Sequence, residues 1–209
     1  MFAAMSFSVD QLIADCVEAS ENEGTHAGVA IDEVLSRVVS NPTEIEAELG
    51  HPRDMPVFST WHHTDRLTIL HVVWPPDVDL MPHDHNGLWA TIGLYGGQEV
   101  NRLFRSLPDG GIELRQTRTM CARDTIVLGG DTIHAVANPT REWTGAIHIY
   151  GGDYFADGKQ MWGTTDADPA PFVLDKLQAV LNRASAAAHA REDADRSTRD
   201  PDAPTATSC

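Results

Sequence analysis

Residues 51–165 consist of short runs of β-branched and aromatic residues, broken every few positions by Gly, Pro or Asp. That punctuation suits short strands joined by turns and leaves no room for helices between them. The expected strands are Leu67–Trp74, Leu88–Tyr95, Glu99–Arg105, Ile112–Thr119, Thr125–Leu128, His134–Ala137 and Trp143–Tyr150. The run Leu107-Pro108-Asp109-Gly110-Gly111 reads as a hairpin connection between two of them. Without strand–helix alternation, Rossmann and TIM architectures are disfavoured, and an all-β barrel or sandwich is expected.

The flanks differ from this core. Residues 1–50 read as a helical cover. Its first helix, capped by Ser8, shows Leu12, Ile13, Cys16 and Val17 on one face. A second follows Gly24 with Val29, Ile31, Val34, Leu35 and Val38 on one side. A short third helix is capped by Asn41 or Thr43 and ends at Gly50. The segment 166–186 carries one closing helix over 171–186, striped by Val173, Leu174, Leu177, Val180 and Leu181. Residues 187–209 have no apolar face and read as a disordered tail in which His189 and Cys209 have no role. With 15 basic and 31 acidic residues the net charge is −16, which argues against nucleic acid or an anionic membrane as partner. No long apolar run, no basic leader and only three scattered cysteines point to a soluble cytoplasmic chain, a monomer or small homo-oligomer, without a disulfide framework.

Ten histidines stand out against this composition. In a strand, residues two apart face one side, so His83 and His85 of Pro82-His83-Asp84-His85 can present two imidazoles to one point. The turn Gly129-Gly130-Asp131 leads to His134, with Asn138 four residues on. Three neutral imidazoles from neighbouring strands suit a divalent transition metal and leave coordination positions open, whereas calcium and magnesium want oxygen ligands. Asp84 points to the opposite face and reads as a turn acceptor. In Ala146-Ile147-His148-Ile149-Tyr150, alternation puts Ala146, His148 and Tyr150 on one face. That pair is either a satisfied polar contact in the core or an outer-sphere pair beside the metal.

The HxH pair followed by G-x-D-x-x-H-x-x-x-N resembles the two cupin motifs, without the glutamate that usually follows HxH. A three-histidine cupin of this kind resembles the cysteine dioxygenase family of thiol dioxygenases, bacterial type. Further agreement comes from Trp74, Trp89, Gly97-x-Glu99-x-Asn101-x-x-Phe104-Arg105 and His148-x-Tyr150-Gly151-Gly152-Asp153-x-Phe155, over roughly residues 55–165. The resemblance implies a cupin double-stranded β-helix. It also implies Fe(II) bound by His83, His85 and His134, a small thiol and O2 as substrates, and catalytic Tyr150 oriented by His148.

Three departures accompany it. Ala146 stands where the family has serine, and Ala90 stands near its cross-linking cysteine. Phe58–Asp65 holds no arginine at the family's carboxylate clamp, which aligns near Ser59. The substrate is therefore expected not to be a standard clamped cysteine, and His62, His63, Trp89 and His71 are the candidate substrate contacts. His71 can also sit satisfied in the core. Asn101 and Arg105 share a strand face and read as a structural pair. Two alternatives remain open: a three-histidine Fe(II) cupin that cleaves a carbon–carbon bond of a dicarbonyl or activated aromatic, and a cupin that binds metal without catalysis.

Overall fold

A computed structural model describes residues 7–23, 27–163 and 169–198. Among the described residues, eleven strands lie between three N-terminal α-helices and one C-terminal α-helix. The five-stranded sheet has the order β1 (Phe58–His63), β2 (Thr68–Trp74), β9 (Thr144–Tyr150), β4 (Ala90–Gly96), β7 (Thr125–Leu128). The four-stranded sheet has the order β3 (Val78–Asp79), β8 (Ile133–Asn138), β5 (Gln98–Ser106), β6 (Ile112–Cys121). A two-stranded ribbon pairs β10 (Gln160–Met161) with β11 (Ala170–Pro171). All pairings in the two larger sheets are antiparallel. These strand orders form the double-stranded β-helix expected from the sequence.

Burial on both faces explains why β2, β4 and β9 are so apolar. Their inward residues Leu70, Val72, Ile92, Leu94, Ala146 and Tyr150 form the barrel core. Their outward residues Ile69, Tyr95, Ile147 and Ile149 meet Leu12, Ile31 and Leu35 of the helical cover, which comprises α1 (Val9–Glu23), α2 (Ala27–Val39) and α3 (Pro42–Leu49). Gly93 permits this contact, since a Cβ there would sit 2.7 Å from Leu35 Cγ. Ser8 caps α1, its Oγ accepting from the Gln11 amide at 3.5 Å. Asn41 stands at the N-cap of α3 but makes no capping side-chain bond; its backbone carbonyl accepts instead. Val29, expected on the buried side of α2, is 59% exposed.

Two expectations need correction. The closing helix, α4 (Leu174–Thr198), starts later than expected and runs twelve residues beyond 186. Part of the expected tail is thus helical, while residues 199–209, with Cys209, lie outside the described residues. Alanine-rich sequence favours the helix, and the barrel receives it. Ala188 is buried with Val73 and Trp143. His189 packs on the Trp143 ring at 4.7 Å, and Glu192 accepts from Trp143 Nε1 at 2.6 Å and pairs with Arg53 at 2.8 Å. The second correction concerns β1, a half-exposed Ser/Thr/His strand that the sequence pattern does not announce. No helix among the described residues is long and apolar enough to cross a membrane.

Candidate metal centre

The segment carrying His83 and His85 is not a regular strand. It is extended chain tied by single bridges to β8 on one side and β10 on the other. His83 and His134 exchange backbone hydrogen bonds at 2.8 and 2.9 Å, which sets the two imidazoles side by side. Pro82 supplies no backbone donor here, and Asn86 (φ 52) and Gly87 (φ 82) turn the chain into the left-handed region directly after His85. Asp84 Oδ1 closes the turn by accepting from the amides of Asn86 (3.1 Å) and Gln160 (2.9 Å), and so points away from the imidazoles. Asn138 spans the far end of β8, donating to the carbonyls of Trp74, Pro75 and Glu142.

His83, His85 and His134 are all buried, and one ligand atom from each lies within 4.8 Å of the other two. The Nε2 atoms of His85 and His134 are 3.1 Å apart. Two nitrogens at about 2.1 Å from one ion, in adjacent coordination positions, are separated by about this distance. Burial lowers the pKa of each ring, that of His85 and His134 well below the ordinary imidazole value, so all three are neutral and carry a lone pair. His83 Nδ1 donates to the Met81 carbonyl at 3.1 Å, leaving Nε2 free to coordinate. The converging group is made of histidines alone. A divalent transition metal fits such a set; a hard oxygen-seeking cation does not.

The surroundings are aromatic and polar. The Tyr150 ring stands edge-on to His85 at 5.0 Å, and its hydroxyl lies 3.1 Å from His148 Nδ1. Burial holds His148 neutral, with its pKa near 3, and leaves its Nε2 without a partner among the described residues. Sequence reasoning passed over several neighbours. Tyr154 packs against Tyr150 at 4.2 Å, and the buried Lys159 ammonium sits 5.0 Å over the Tyr154 ring while donating to the carbonyls of Tyr154 and Ala156. Phe172 covers His83 at 5.3 Å. Behind His134 lies a chain of buried groups. His134 Nδ1 is 2.9 Å from Asn101 Oδ1, Asn101 Nδ2 donates to Glu99 Oε1 at 2.6 Å, and Trp74 Nε1 donates to Glu99 Oε2 at 2.6 Å. Burial pushes the Glu99 carboxyl up to about 7 despite those two donors.

The structure does not bring the four candidate substrate contacts together at the centre. His71 lies on the outward face of β2, where Nε2 meets the Tyr95 hydroxyl at 2.7 Å and Trp61 stacks on the ring. Trp89 packs in the same outer layer, against Gly151, where a Cβ would come within 2.1 Å of the indole. Both side chains lie on the face of the sheet that meets the helical cover, away from the triad. His63 is exposed, 2.8 Å from Asp153 and edge-on to Phe155. His62 is half-buried beside the bulge in β1. Asn101 and Arg105 do not pair either. Four residues of strand span about 13 Å, and Arg105 bonds Glu113 directly across the ladder instead.

No family model and no curated protein matches this chain. Solved structures do. A protein from Bacillus halodurans is 16% identical over 52% of this chain and 77% of its own, with a TM-score of 0.44. A Klebsiella pneumoniae protein described as having a double-stranded β-helix domain is 14% identical over 53% of this chain and 87% of its own, at 0.41. A cupin superfamily protein from Desulfitobacterium hafniense is 15% identical over 48% and 80%, at 0.38.

Proposed function

We propose that this chain is a non-haem Fe(II)-dependent dioxygenase that oxidises a small thiol with O2 to a sulfinic acid. The supporting observation is a buried set of three neutral histidines, without a carboxylate, beside a phenol held by a histidine. Fe(II) bound there supplies activation of O2 and lowers the pKa of a coordinated thiol. His83, His85 and His134 hold the ion and add no charge, so the site keeps the positive charge that favours a thiolate. The product stands two oxygen atoms above the thiol on the sulfur oxidation ladder.

Tyr150 has the acidity of a donor only, since burial holds its pKa well above the ordinary phenol value. With His148 Nδ1–H given to its oxygen, Tyr150 shares its own proton with the neighbouring Tyr154 hydroxyl and can turn it to the substrate head group or the reacting oxygen. Tyr154 and Phe172 exclude water from the two sides of the triad that they cover. Access lies at His83, which at 7% exposure is the least enclosed of the three and opens on a cavity of about 510 Å³ walled by Met81, Met161, Phe172 and Val173.

The test is O2 uptake by anaerobically iron-loaded protein with cysteine, 3-mercaptopropionate, mercaptosuccinate and cysteamine, with His134→Ala as control. Uptake with one thiol, matched by its sulfinate and absent in the variant, supports the proposal. No uptake with any of them at one iron per chain rejects it. A second reading, oxidative cleavage of a dicarbonyl or activated aromatic, draws on the arginine-free β1 and the mostly apolar walls of the cavity, whereas Lys176 and Arg183 on those walls favour an anionic substrate group. It requires a cleaved carbon skeleton and no sulfur oxidation. An iron-loaded protein inert towards both substrate classes would be a metal-binding cupin without catalysis.

A further inference from the structure

Glu99 and Asn101 are fully buried on β5, yet neither reaches the triad's coordinating atoms. Their chain of contacts has a directional logic. An indole N–H only donates, so the Glu99 oxygen facing Trp74 must accept. The other Glu99 oxygen faces Asn101, and the ionised carboxylate, the form present above about pH 7, has no proton to offer, so the NH2 of Asn101 must point at Glu99. Asn101 Nδ2 also lies 3.5 Å from Met120 Sδ, a weak acceptor, which agrees with that orientation. The Asn101 carbonyl is thereby turned to His134, and His134 Nδ1 must carry the proton. Its lone pair is then on Nε2, the atom 3.1 Å from His85 Nε2.

We propose that Glu99 is a positioning residue that dictates, through the amide orientation of Asn101, the tautomer in which His134 can ligate a metal. This rests on the triad being a metal site, but the tautomer itself is a property of the metal-free protein.

The logic makes an isosteric change consequential. In Glu99→Gln the one carbonyl oxygen is claimed by Trp74, so the new NH2 faces Asn101. Asn101 turns over to accept it and presents its own NH2 to His134 Nδ1. The His134 proton moves to Nε2, where the ion would bind. In Glu99→Gln/Asn101→Asp the carboxylate has moved one link along. It accepts from Gln at 99 and from His134 Nδ1–H, and the ligating tautomer returns. If Glu99 merely filled space, the second substitution would give no rescue.

Two readouts test this at about pH 8, above the value of about 7 to which burial raises Glu99, where the carboxylate form dominates. Long-range 1H–15N correlation on metal-free protein identifies the protonated nitrogen of His134, and titration with Co(II) gives affinity. Wild type is expected to show Nδ1–H. Glu99→Gln is expected to show Nε2–H and to bind Co(II) at least about tenfold more weakly. The double variant is expected to return to Nδ1–H and to within about threefold of wild-type affinity. An Nε2–H proton on wild-type His134 overturns the proposal, even if Glu99→Gln fails to fold. So does an unchanged tautomer in a folded Glu99→Gln, or a folded double variant without rescue. A wild-type protein with Nδ1–H that binds no Co(II) rejects the metal centre and leaves the tautomer relay standing.

Discussion

Two buried histidine–tyrosine pairs sit back to back on one sheet. His148 and Tyr150 belong to β9; His71 belongs to β2 and its partner Tyr95 to β4, the two strands flanking β9. The pairs are alike as chemistry. Burial holds His148 near a pKa of 3 and His71 near 4, and each ring keeps one nitrogen without a partner among the described residues. They differ by one step of register. Leu70 lies opposite His148, and His71 opposite Ile147, so His148 faces the barrel interior and His71 the helical cover. On the proposed function, a histidine–phenol contact is therefore a reagent on one face and a core hydrogen bond on the other. Residue parity along the strand decides which.

The sharpest break in this comparison comes from removing what only the inner face has. His134→Ala should lower bound iron to less than about a tenth of wild type and abolish O2 uptake, read by metal analysis and an oxygen electrode. Equal iron content in the variant would strip the inner pair of its distinction. Next in size is Tyr150→Phe. It should leave iron content unchanged and lower turnover by about a hundredfold, or about 2.7 kcal/mol of barrier. Loss of iron in that variant would make Tyr150 structural, like its counterpart on the other face.

The mirror experiment is Tyr95→Phe. Its hydroxyl is the partner of His71 Nε2, so its loss leaves a fully buried ring with neither nitrogen satisfied. Stability should fall by about 2 kcal/mol, a drop of several degrees in Tm, with turnover per iron unchanged. A turnover defect matching that of Tyr150→Phe would mean that the two faces communicate.

The sequence is legible where a strand has one chemistry per face and opaque where it has two buried faces. The triad follows from spacing alone: His83-x-His85 and a histidine after a glycine turn. In β2 every residue is buried, so alternation cannot say whether His71 looks inward or outward. Strand β1 is hidden by the opposite problem, a half-exposed run of Ser, Thr and His beside a bulge. The chain behind His134 is drawn from three strands, with Trp74 on β2, Glu99 and Asn101 on β5 and His134 on β8. Only the i, i+2 spacing of Glu99 and Asn101 signals it locally, and that spacing is common on any strand. The helix beyond 186 lacks an apolar stripe because it docks through one alanine and a set of polar contacts around Trp143.

The smallest effect expected is also the one that isolates the outer pair from the chemistry. His71 is neutral in the folded chain down to a pH near 4, against an ordinary value of 6.5. Between those values the unfolded chain binds a proton that the folded chain refuses, so stability falls as pH falls through that window. Above 6.5 neither state is protonated and His71 contributes no pH dependence; below 4 the loss is complete. At about pH 5.5 the loss amounts to about 1.4 kcal/mol. His71→Phe keeps a ring against Trp61 and removes the titration. The urea midpoint of wild type should therefore drop more between about pH 7.5 and 5.5 than that of the variant, by about 1.4 kcal/mol at equal m-value. Parallel pH profiles would show that His71 takes up its proton inside the folded protein. The outer pair would then be open to solvent chemistry, and the contrast between the two faces would rest on the metal alone.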